Sequence, residues 1–186
     1  MAEEIFDVVN ADDQVIGQES RSTVHRTGLL HRGVHVWLFA PDGKVLIQRR
    51  TDDRPTEPGA LDCSVSEHVK AGEDYLSAAQ RGLKEELGVV GVDLKPVIKF
   101  KMNYGANDNE ISELFQGRLE AGDRVRFDPV EVESVGFAEL DELHRWLGEG
   151  VRPFSKWLEQ MLHWQAREPN ELEVLRIYGE LGNFPP

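Results

Sequence analysis

The segment EHVKAGEDYLSAAQRGLKEELGV, residues 67–89, limits what this chain can fold into more than any other. Asp74 is a typical N-cap residue and Gly88 a typical residue at which a helix ends. Between them the apolar residues recur with helical spacing and form one stripe, made of Leu76, Ala79, Leu83 and Leu87. The segment therefore predicts an amphipathic helix over residues 75–87.

Apolar, β-prone runs on both sides of this helix predict strands. The clearest are VHVWLFA and VLIQRR, which flank the turn PDGK and predict a hairpin. Further strands are predicted in IFDVVN, QVIGQ, LDCSVS, PVIKFKMNY, ISELFQGRL and VEVESVGFA. Two helices, in ELDELHRWL and PFSKWLEQMLHWQA, and a short last helix in NELEVLRIYGEL follow. Because only one helix lies between strands, we expect a mixed α/β sandwich rather than a doubly wound sheet.

Charge and cysteine content exclude several classes of protein. The 186 residues carry 21 Lys and Arg against 34 Asp and Glu, a formal net charge of -13. Such a surface repels a phosphate backbone, so we expect no nucleic-acid partner. The lone cysteine, Cys63, cannot form an internal disulfide and is expected in the core. The chain has neither a signal-peptide pattern nor a membrane-spanning apolar run, so we expect one domain in the cytoplasm.

The predicted helix also concentrates carboxylates. Glu73 precedes it, and Glu85 and Glu86 are neighbours near its end, where they repel each other unless a cation binds. Oxygen ligands suit Mg²⁺, the usual cation where a substrate carries phosphate, so these three residues are candidate metal ligands. Arg81 is spaced to pair with Glu85 or Glu73. The simpler alternative is an exposed helix face with solvated charges.

In combination these residues resemble the Nudix box, whose pattern is Gly-x5-Glu-x7-Arg-Glu-aliphatic-x-Glu-Glu-x-Gly-aliphatic. The matching residues are Glu73, Arg81, Leu83, Glu85, Glu86, Gly88 and Val89. Two positions depart: Glu67 replaces the opening Gly, and Gly82 replaces the Glu that follows the Arg. The resemblance implies a Nudix α/β/α sandwich with a mixed sheet and extra C-terminal helices. It also implies a single domain over residues 1–186, with its core at about 31–163 and the box at 67–89.

Other stretches resemble the type I isopentenyl-diphosphate isomerases, which share the Nudix fold. This resemblance implies a second metal site, for Mn²⁺, Zn²⁺ or Mg²⁺, made of His25, His31, His68, Asp108 and Glu110. It also implies that Arg21, Arg50 and Arg54 hold a diphosphate and that Trp157 closes the pocket. Ser66 stands where the isomerase has its catalytic Cys, and a hydroxyl is harder to ionise than a thiol. Cys63 lies three residues earlier, on the opposite face of the strand, and cannot replace it.

Three functions stay open. The first is a Mg²⁺- or Mn²⁺-dependent hydrolase of a small-molecule diphosphate, with Glu85 and Glu86 at the metal and Glu110 as the base that activates water. In that case Arg50 and Arg54 hold the phosphates, while Tyr104, Trp157 and Trp37 surround the rest of the substrate. The alternative is that Trp37 and Trp157 are simply core residues. The second is an isomerase-like enzyme acting on prenyl diphosphates. The third is a catalytically weak protein that binds a diphosphate or a nucleotide. The substrate and the oligomeric state are not indicated.

Overall fold

The computed structural model describes residues 3–182 and 184, and within them the chain forms ten strands and four helices. The strands are β1 Ile5–Val9, β2 Val15–Ser20, β3 His31–Phe39, β4 Val45–Arg50, β5 Leu61–Asp62, β6 Val65–His68, β7 Lys95–Gly105, β8 Asp108–Arg118, β9 Val132–Ala138 and β10 Glu173–Ile177. The helices are α1 Arg21–Thr27, α2 Tyr75–Leu87, α3 Leu140–Glu149 and α4 Lys156–Gln165. Within the described part of the chain, none of these helices is long and apolar enough to cross a bilayer.

An eight-stranded mixed sheet forms the centre of the molecule. Its strands follow the order β10-β7-β8-β3-β4-β5, with β6 added beside β3 and β9 beside β4. β3 pairs in parallel with β8 along one edge, and antiparallel with β6 and β4 along the other. β1 and β2 form a separate hairpin. The long strand β3 therefore lies between β6 and β8, the two strands that carry most of the predicted site residues.

Helices cover both faces of this sheet. The alternating residues of β3 send Val34, Val36 and Leu38 to the face covered by α2, where Leu83 and Leu87 pack. The opposite face of β3 carries Trp37 and Phe39, which join Leu143 of α3 and Leu158 of α4. Side chains of β3 are buried on both faces of the sheet, because successive residues of a strand point to opposite faces. The predicted α/β/α sandwich with a mixed sheet is confirmed.

The helix predicted from the carboxylate-rich segment forms with the expected ends. The Asp74 side chain accepts a hydrogen bond from the Ser77 backbone, and Gly88 ends the helix in the left-handed conformation. The predicted apolar stripe is wrong at Leu76, which is 41% exposed. The buried side of α2 is rotated toward Ala78, Ala79, Gly82, Leu83, Glu86 and Leu87. Glu86 therefore faces inward, although it does not belong to the predicted apolar stripe.

The predicted helix in residues 170–181 is wrong, because this segment contains the edge strand β10. Val174 and Ile177 pair antiparallel with β7, whose outer edge otherwise exposes unpaired backbone groups. The extended conformation of this segment depends on pairing with β7, which is distant in the sequence. The short helix α1 was not predicted at all; Ser20 caps its first turn and Gly28 ends it.

Candidate active site

A cavity of about 530 Å³ is lined by residues from α1, β3, β4, β6, β7, β8 and α4. All the residues that the sequence predicted for substrate binding line it, namely Arg21, Arg50, Arg54, Tyr104 and Trp157. Four members of the predicted second metal site line it as well: His25, His68, Asp108 and Glu110. Trp37 is fully buried in the core instead, as is Cys63, whose thiol accepts a hydrogen bond from the Trp37 indole. The sheet thus gathers residues that are widely separated in the chain.

The histidine cluster, His25, His31, His68, Asp108 and Glu110, assembles through strand pairing. His31 opens β3 and pairs with Glu110 of β8, while His68 closes β6 beside Gly33. Glu110 Oε1 lies 3.6 Å from His31 Nε2 and 3.5 Å from His68 Nε2. His25, in the last turn of α1, places Nδ1 3.2 Å from Asp108 Oδ1. Ligand atoms of the three histidines lie within 4.8 Å of one another, as do those of His31, Asp108 and Glu110.

Gly33 is what lets the Glu110 carboxylate lie across β3. A Cβ atom at Gly33 would sit 2.0 Å from Glu110 Oε2 and 2.9 Å from Ser112 Oγ. Ser112 Oγ donates a hydrogen bond of 2.9 Å to the same oxygen, which leaves Glu110 Oε1 directed at the histidines. Any side chain at position 33 would therefore displace the carboxylate from the cluster.

Several atoms of the histidine cluster lack a partner. His31 Nδ1 lies 3.0 Å from the Leu29 carbonyl, to which it donates when protonated, so the lone pair of Nε2 faces the cluster. The buried atoms His25 Nε2, His31 Nε2 and Asp108 Oδ1 make no hydrogen bond within the described residues. Unsatisfied buried polar atoms are costly, and three nitrogens with two carboxylates form a ligand set that suits Mn²⁺ or Zn²⁺. The residues present fit an ion.

Electrostatics favour the ligand forms of His68 and Glu110, whereas at His31 burial, which lowers the pKa, is outweighed by Glu110, which raises it. Burial, opposed in part by Glu110, lowers the pKa of His68 to about 3, so its imidazole is neutral at pH 7. Burial alone would raise the pKa of Glu110, but the neighbouring His31 and His68 outweigh it and hold that pKa well below its usual range. A neutral imidazole and an ionised carboxylate are the forms that bind metals.

A second group, the carboxylate cluster, consists of Glu67 of β6, Glu86 of α2 and Glu131 of the loop before β9. One oxygen from each lies within 4.8 Å of the others. Gln48 Nε2 donates a 2.9 Å hydrogen bond to Glu86 Oε2, but Glu86 Oε1 is buried without a partner among the described residues. Burial, together with the charge of Glu67, raises the pKa of Glu86 well above its usual value. A carboxylate in this position needs a cation to be ionised.

The other two predicted carboxylate ligands, Glu73 and Glu85, pair with Arg81, which also donates to Glu67 of the carboxylate cluster. Glu73 accepts from Arg81 Nε at 3.0 Å and Nη2 at 3.1 Å, and Glu85 accepts from Nη1 at 3.2 Å. Arg81 also donates to the His68 carbonyl, so it links the end of β6 to α2. Glu85 is 57% exposed. Among the residues that can be described, neither carboxylate joins a group of three possible ligands within 4.8 Å.

Asp62 is a site residue that the sequence analysis missed. It is fully buried, and its Oδ2 accepts a 2.9 Å hydrogen bond from Arg50 Nη1. Its Oδ1 accepts from three side chains, Ser66, Ser155 and Trp157. Asp62 therefore orients one arginine and one tryptophan of the cavity wall. The available signal was an acidic residue inside the apolar strand segment LDCSVS.

The other two arginines of the cavity are held more loosely. Arg21 Nη1 lies 3.2 Å from Glu4 Oε2, and Arg54 Nη1 lies 3.3 Å from Glu131 Oε2. Arg54 Nε is buried without a hydrogen-bond partner in the described part of the chain. Both guanidinium groups keep donors that an anion in the cavity can accept from, since each presents five N–H groups.

Ser66 contacts a buried histidine in addition to Asp62. His35 Nδ1 lies 3.1 Å from Ser66 Oγ, and His35 Nε2 lies 3.1 Å from the Tyr104 hydroxyl. Burial lowers the pKa of His35, so its imidazole is neutral at pH 7. The Ser66 oxygen is thus surrounded by a carboxylate and a neutral ring, and it has no cationic contact among the described residues.

Comparison with known proteins adds four findings. The family model of the NUDIX domain matches residues 29–158. An uncharacterized Nudix hydrolase of Streptomyces coelicolor is 37% identical over 150 residues, 80% of this chain and 81% of that protein. An isopentenyl-diphosphate Delta-isomerase of Serratia proteamaculans is 28% identical over 159 residues, 83% of this chain and 87% of that protein. A crystal structure from Deinococcus radiodurans superimposes with a TM-score of 0.75 at 26% identity, covering 87% and 98% of the two chains.

Proposed function

Because the chain belongs to the Nudix family, we propose that it is a divalent-cation-dependent hydrolase of a small-molecule diphosphate. The observation that carries this proposal is the charge distribution around one cavity. Glu67 of the carboxylate cluster lines it together with Arg21, Arg50 and Arg54. A diphosphate bound with its cation needs both kinds of group, carboxylates for the cation and arginines for the phosphate oxygens.

The protein residues have separate tasks in this mechanism. Glu67, Glu86 and Glu131 would hold a divalent cation, which would neutralise the diphosphate and lower the pKa of a bound water. Arg50 is fixed by Asp62 and by Thr56 and lies 5.4 Å over the Trp157 ring, so its remaining Nη1 donor is the one available to a phosphate oxygen. Arg54 and Arg21 exchange their single carboxylate contacts for phosphate contacts. Tyr104 and Trp157 border the space for the rest of the substrate.

Glu110 is a weaker candidate for the general base than for a metal ligand. Its pKa lies well below the usual range, because His31 and His68 outweigh the effect of burial. A strongly stabilised carboxylate accepts a proton poorly near pH 7. We therefore assign Glu110 to the residues that would hold an ion in the histidine cluster rather than to the activation of water.

An assay of phosphate release tests the proposed function. The panel consists of nucleoside, sugar and prenyl diphosphates, each with Mg²⁺, with Mn²⁺ and with excess chelator. We expect turnover of at least one class, dependent on the cation and lost in chelator. Full activity in chelator contradicts the mechanism. Binding without turnover across the panel favours the third alternative, a catalytically weak diphosphate-binding protein.

The second candidate function is isomerisation of a prenyl diphosphate. The histidine cluster favours it, since His25, His31, His68, Asp108 and Glu110 are the residues implied by the isomerase resemblance, and they meet in space. The similar Serratia proteamaculans protein carries that activity in its name. Against it stands Ser66, whose hydroxyl lacks the acidity of a thiol. Its contacts with Asp62 and neutral His35 do not stabilise an anion.

Replacing Ser66 by Cys is expected to leave interconversion of isopentenyl and dimethylallyl diphosphates undetectable. The new thiol would lie beside the Asp62 carboxylate, now 3.0 Å from Ser66 Oγ, and a neighbouring negative charge raises a thiol pKa. Reactivity with iodoacetamide as a function of pH should place that pKa above the ordinary value of about 8.5. Buried Cys63 does not compete in the folded protein. Detectable interconversion would rank isomerisation above hydrolysis.

A further inference from the structure

The two positions that depart from the Nudix box meet in space. A Cβ atom at Gly82 of α2 would lie 2.5 Å from Val65 Cγ1 and 3.0 Å from Glu67 Cγ. Atoms at such distances cannot coexist without a shift of the neighbours. The side chain of Glu67 thus passes over the helix at the position where the box has a glutamate and this chain has none. Relative to the box, one carboxylate is missing from α2 at position 82, and one is added on the facing strand β6 at position 67.

We propose that Glu67 replaces the missing helix carboxylate at position 82 as a ligand of the divalent cation. The ion is then bound from three elements: β6 through Glu67, α2 through Glu86 and the loop before β9 through Glu131. This inference rests on the proposed function, in which the ion takes part in the hydrolysis of a diphosphate. It differs from the ligand set Glu73, Glu85 and Glu86 that the sequence indicated.

The strongest support comes from Glu86 itself. Only 5% of its surface is exposed, and Gln48 satisfies only one of its two oxygens. The other oxygen, Oε1, is buried with no hydrogen-bond partner within the described residues, and Glu86 belongs to the group of ligand atoms within 4.8 Å. Three carboxylates this close repel one another in a partly dehydrated site. An oxygen-preferring cation satisfies the free oxygen and offsets the repulsion together.

The remaining ligands are held in place by the fold. Arg81 donates to Glu67 Oε2, which leaves the other oxygen of that carboxylate available. The loop that carries Glu131 docks on the end of α2, where the backbone of Asp128 donates to the Glu86 carbonyl at 2.9 Å. Arg54 lies 3.3 Å from Glu131 and supplies a second positive charge near the cluster. The site is therefore built by three anchored elements rather than by one helix face.

Titration with Mg²⁺ in the absence of substrate tests the ligand set. Mg²⁺ is the probe because its preference for oxygen directs it away from the histidine cluster, and binding is followed by the rise in Tm. Glu67→Gln and Glu131→Gln are each expected to weaken Mg²⁺ binding by about tenfold or more. Glu85→Gln removes the same charge from the residue beside Glu86, and Glu149→Gln removes it from a distant exposed position. Both should change the affinity far less.

Two outcomes overturn the inference. One is wild-type Mg²⁺ affinity in Glu67→Gln. The other is a loss in Glu85→Gln as large as that in Glu67→Gln, because it would move the ion to the exposed side of α2. Measurement without substrate separates this inference from the proposed function. Mg²⁺ binding that depends on Glu67 without phosphate release contradicts the function alone, whereas hydrolysis with Glu67-independent binding contradicts the inference alone.

Moving the carboxylate back to the helix gives a sharper test. Gly82→Glu alone is expected to lower the Tm, because Val65 and Glu67 occupy the space that its side chain needs. Glu67→Gly alone should lose Mg²⁺ binding. The combined variant Val65→Ala, Glu67→Gly, Gly82→Glu removes both obstructing groups and should regain at least part of that binding. A folded combined variant that binds no better than Glu67→Gly contradicts the exchange; if it does not fold, the comparison of Glu67→Gln with Glu85→Gln decides.

Discussion

Replacing Glu86 by Gln is expected to lower kcat for phosphate release by more than about tenfold, since a metal acting as a Lewis acid supplies several kcal/mol. Glu86 is a buried member of the carboxylate cluster, and its Oε1 has no hydrogen-bond partner among the described residues. The variant keeps the size of the side chain and a carbonyl oxygen for the hydrogen bond from Gln48. Initial rates at saturating Mg²⁺ measure the effect, with Glu149→Gln as the control.

In the absence of metal, the same substitution should make the protein more stable. Burial raises the pKa of Glu86 on folding, so ionisation favours the unfolded chain at pH values above the ordinary glutamate pKa of about 4.3. Gln cannot ionise, so Glu86→Gln should have a higher Tm than the wild type at pH 7 in excess chelator. Added Mg²⁺ should stabilise the wild type and leave the variant unchanged. An equal Mg²⁺-induced rise in both proteins would show that Glu86 does not bind the ion.

The family and the central helix could be predicted from the sequence because their signals are local. Asp74 and Gly88 define the ends of α2 through contacts within one turn of the helix. The resemblance to the Nudix family is confirmed by the match over residues 29–158 and by the similar hydrolase and isomerase. The strand β10 could not be predicted in the same way, since its conformation depends on the free edge of β7, about seventy residues earlier in the chain.

The residues of the two clusters also divide into those that a local motif identifies and those that only the packing of the fold reveals. His31 and Glu110 could be identified because each stands within a recognisable motif, and strand pairing then brings them together. Glu131 lies in a loop without a motif, so no local pattern distinguishes it from other surface glutamates. Glu85 and Glu86 are adjacent, and only the packing of α2 decides which of them is buried. The rotation of a helix against its sheet depends on the neighbouring side chains, which its own periodicity does not contain.

Replacing Glu110 by Gln is expected to weaken Mn²⁺ or Zn²⁺ binding at the histidine cluster by roughly 10–100-fold or more, the loss typical even of residues that only support metal ligands. Glu110 is within 3.6 Å of both His31 and His68 and supplies the negative charge that faces them. Its removal takes away the negatively charged ligand that would offset the positive charge of the ion. Titration of the metal-free protein with each ion measures the effect.

Glu113→Gln is the matched control for this prediction, because Glu113 is also buried on β8 but contacts Lys99 and Tyr178 instead. The effect on turnover then separates the two candidate functions. A hydrolase that uses the cation at the carboxylate cluster should lose less kcat in Glu110→Gln than in Glu86→Gln. An enzyme whose chemistry occurs at the histidine cluster should show the reverse order. Unchanged Mn²⁺ and Zn²⁺ affinity in Glu110→Gln would show that the histidine cluster is not a metal site. The buried histidine nitrogens that make no hydrogen bond among the described residues would then have to bind a different ligand.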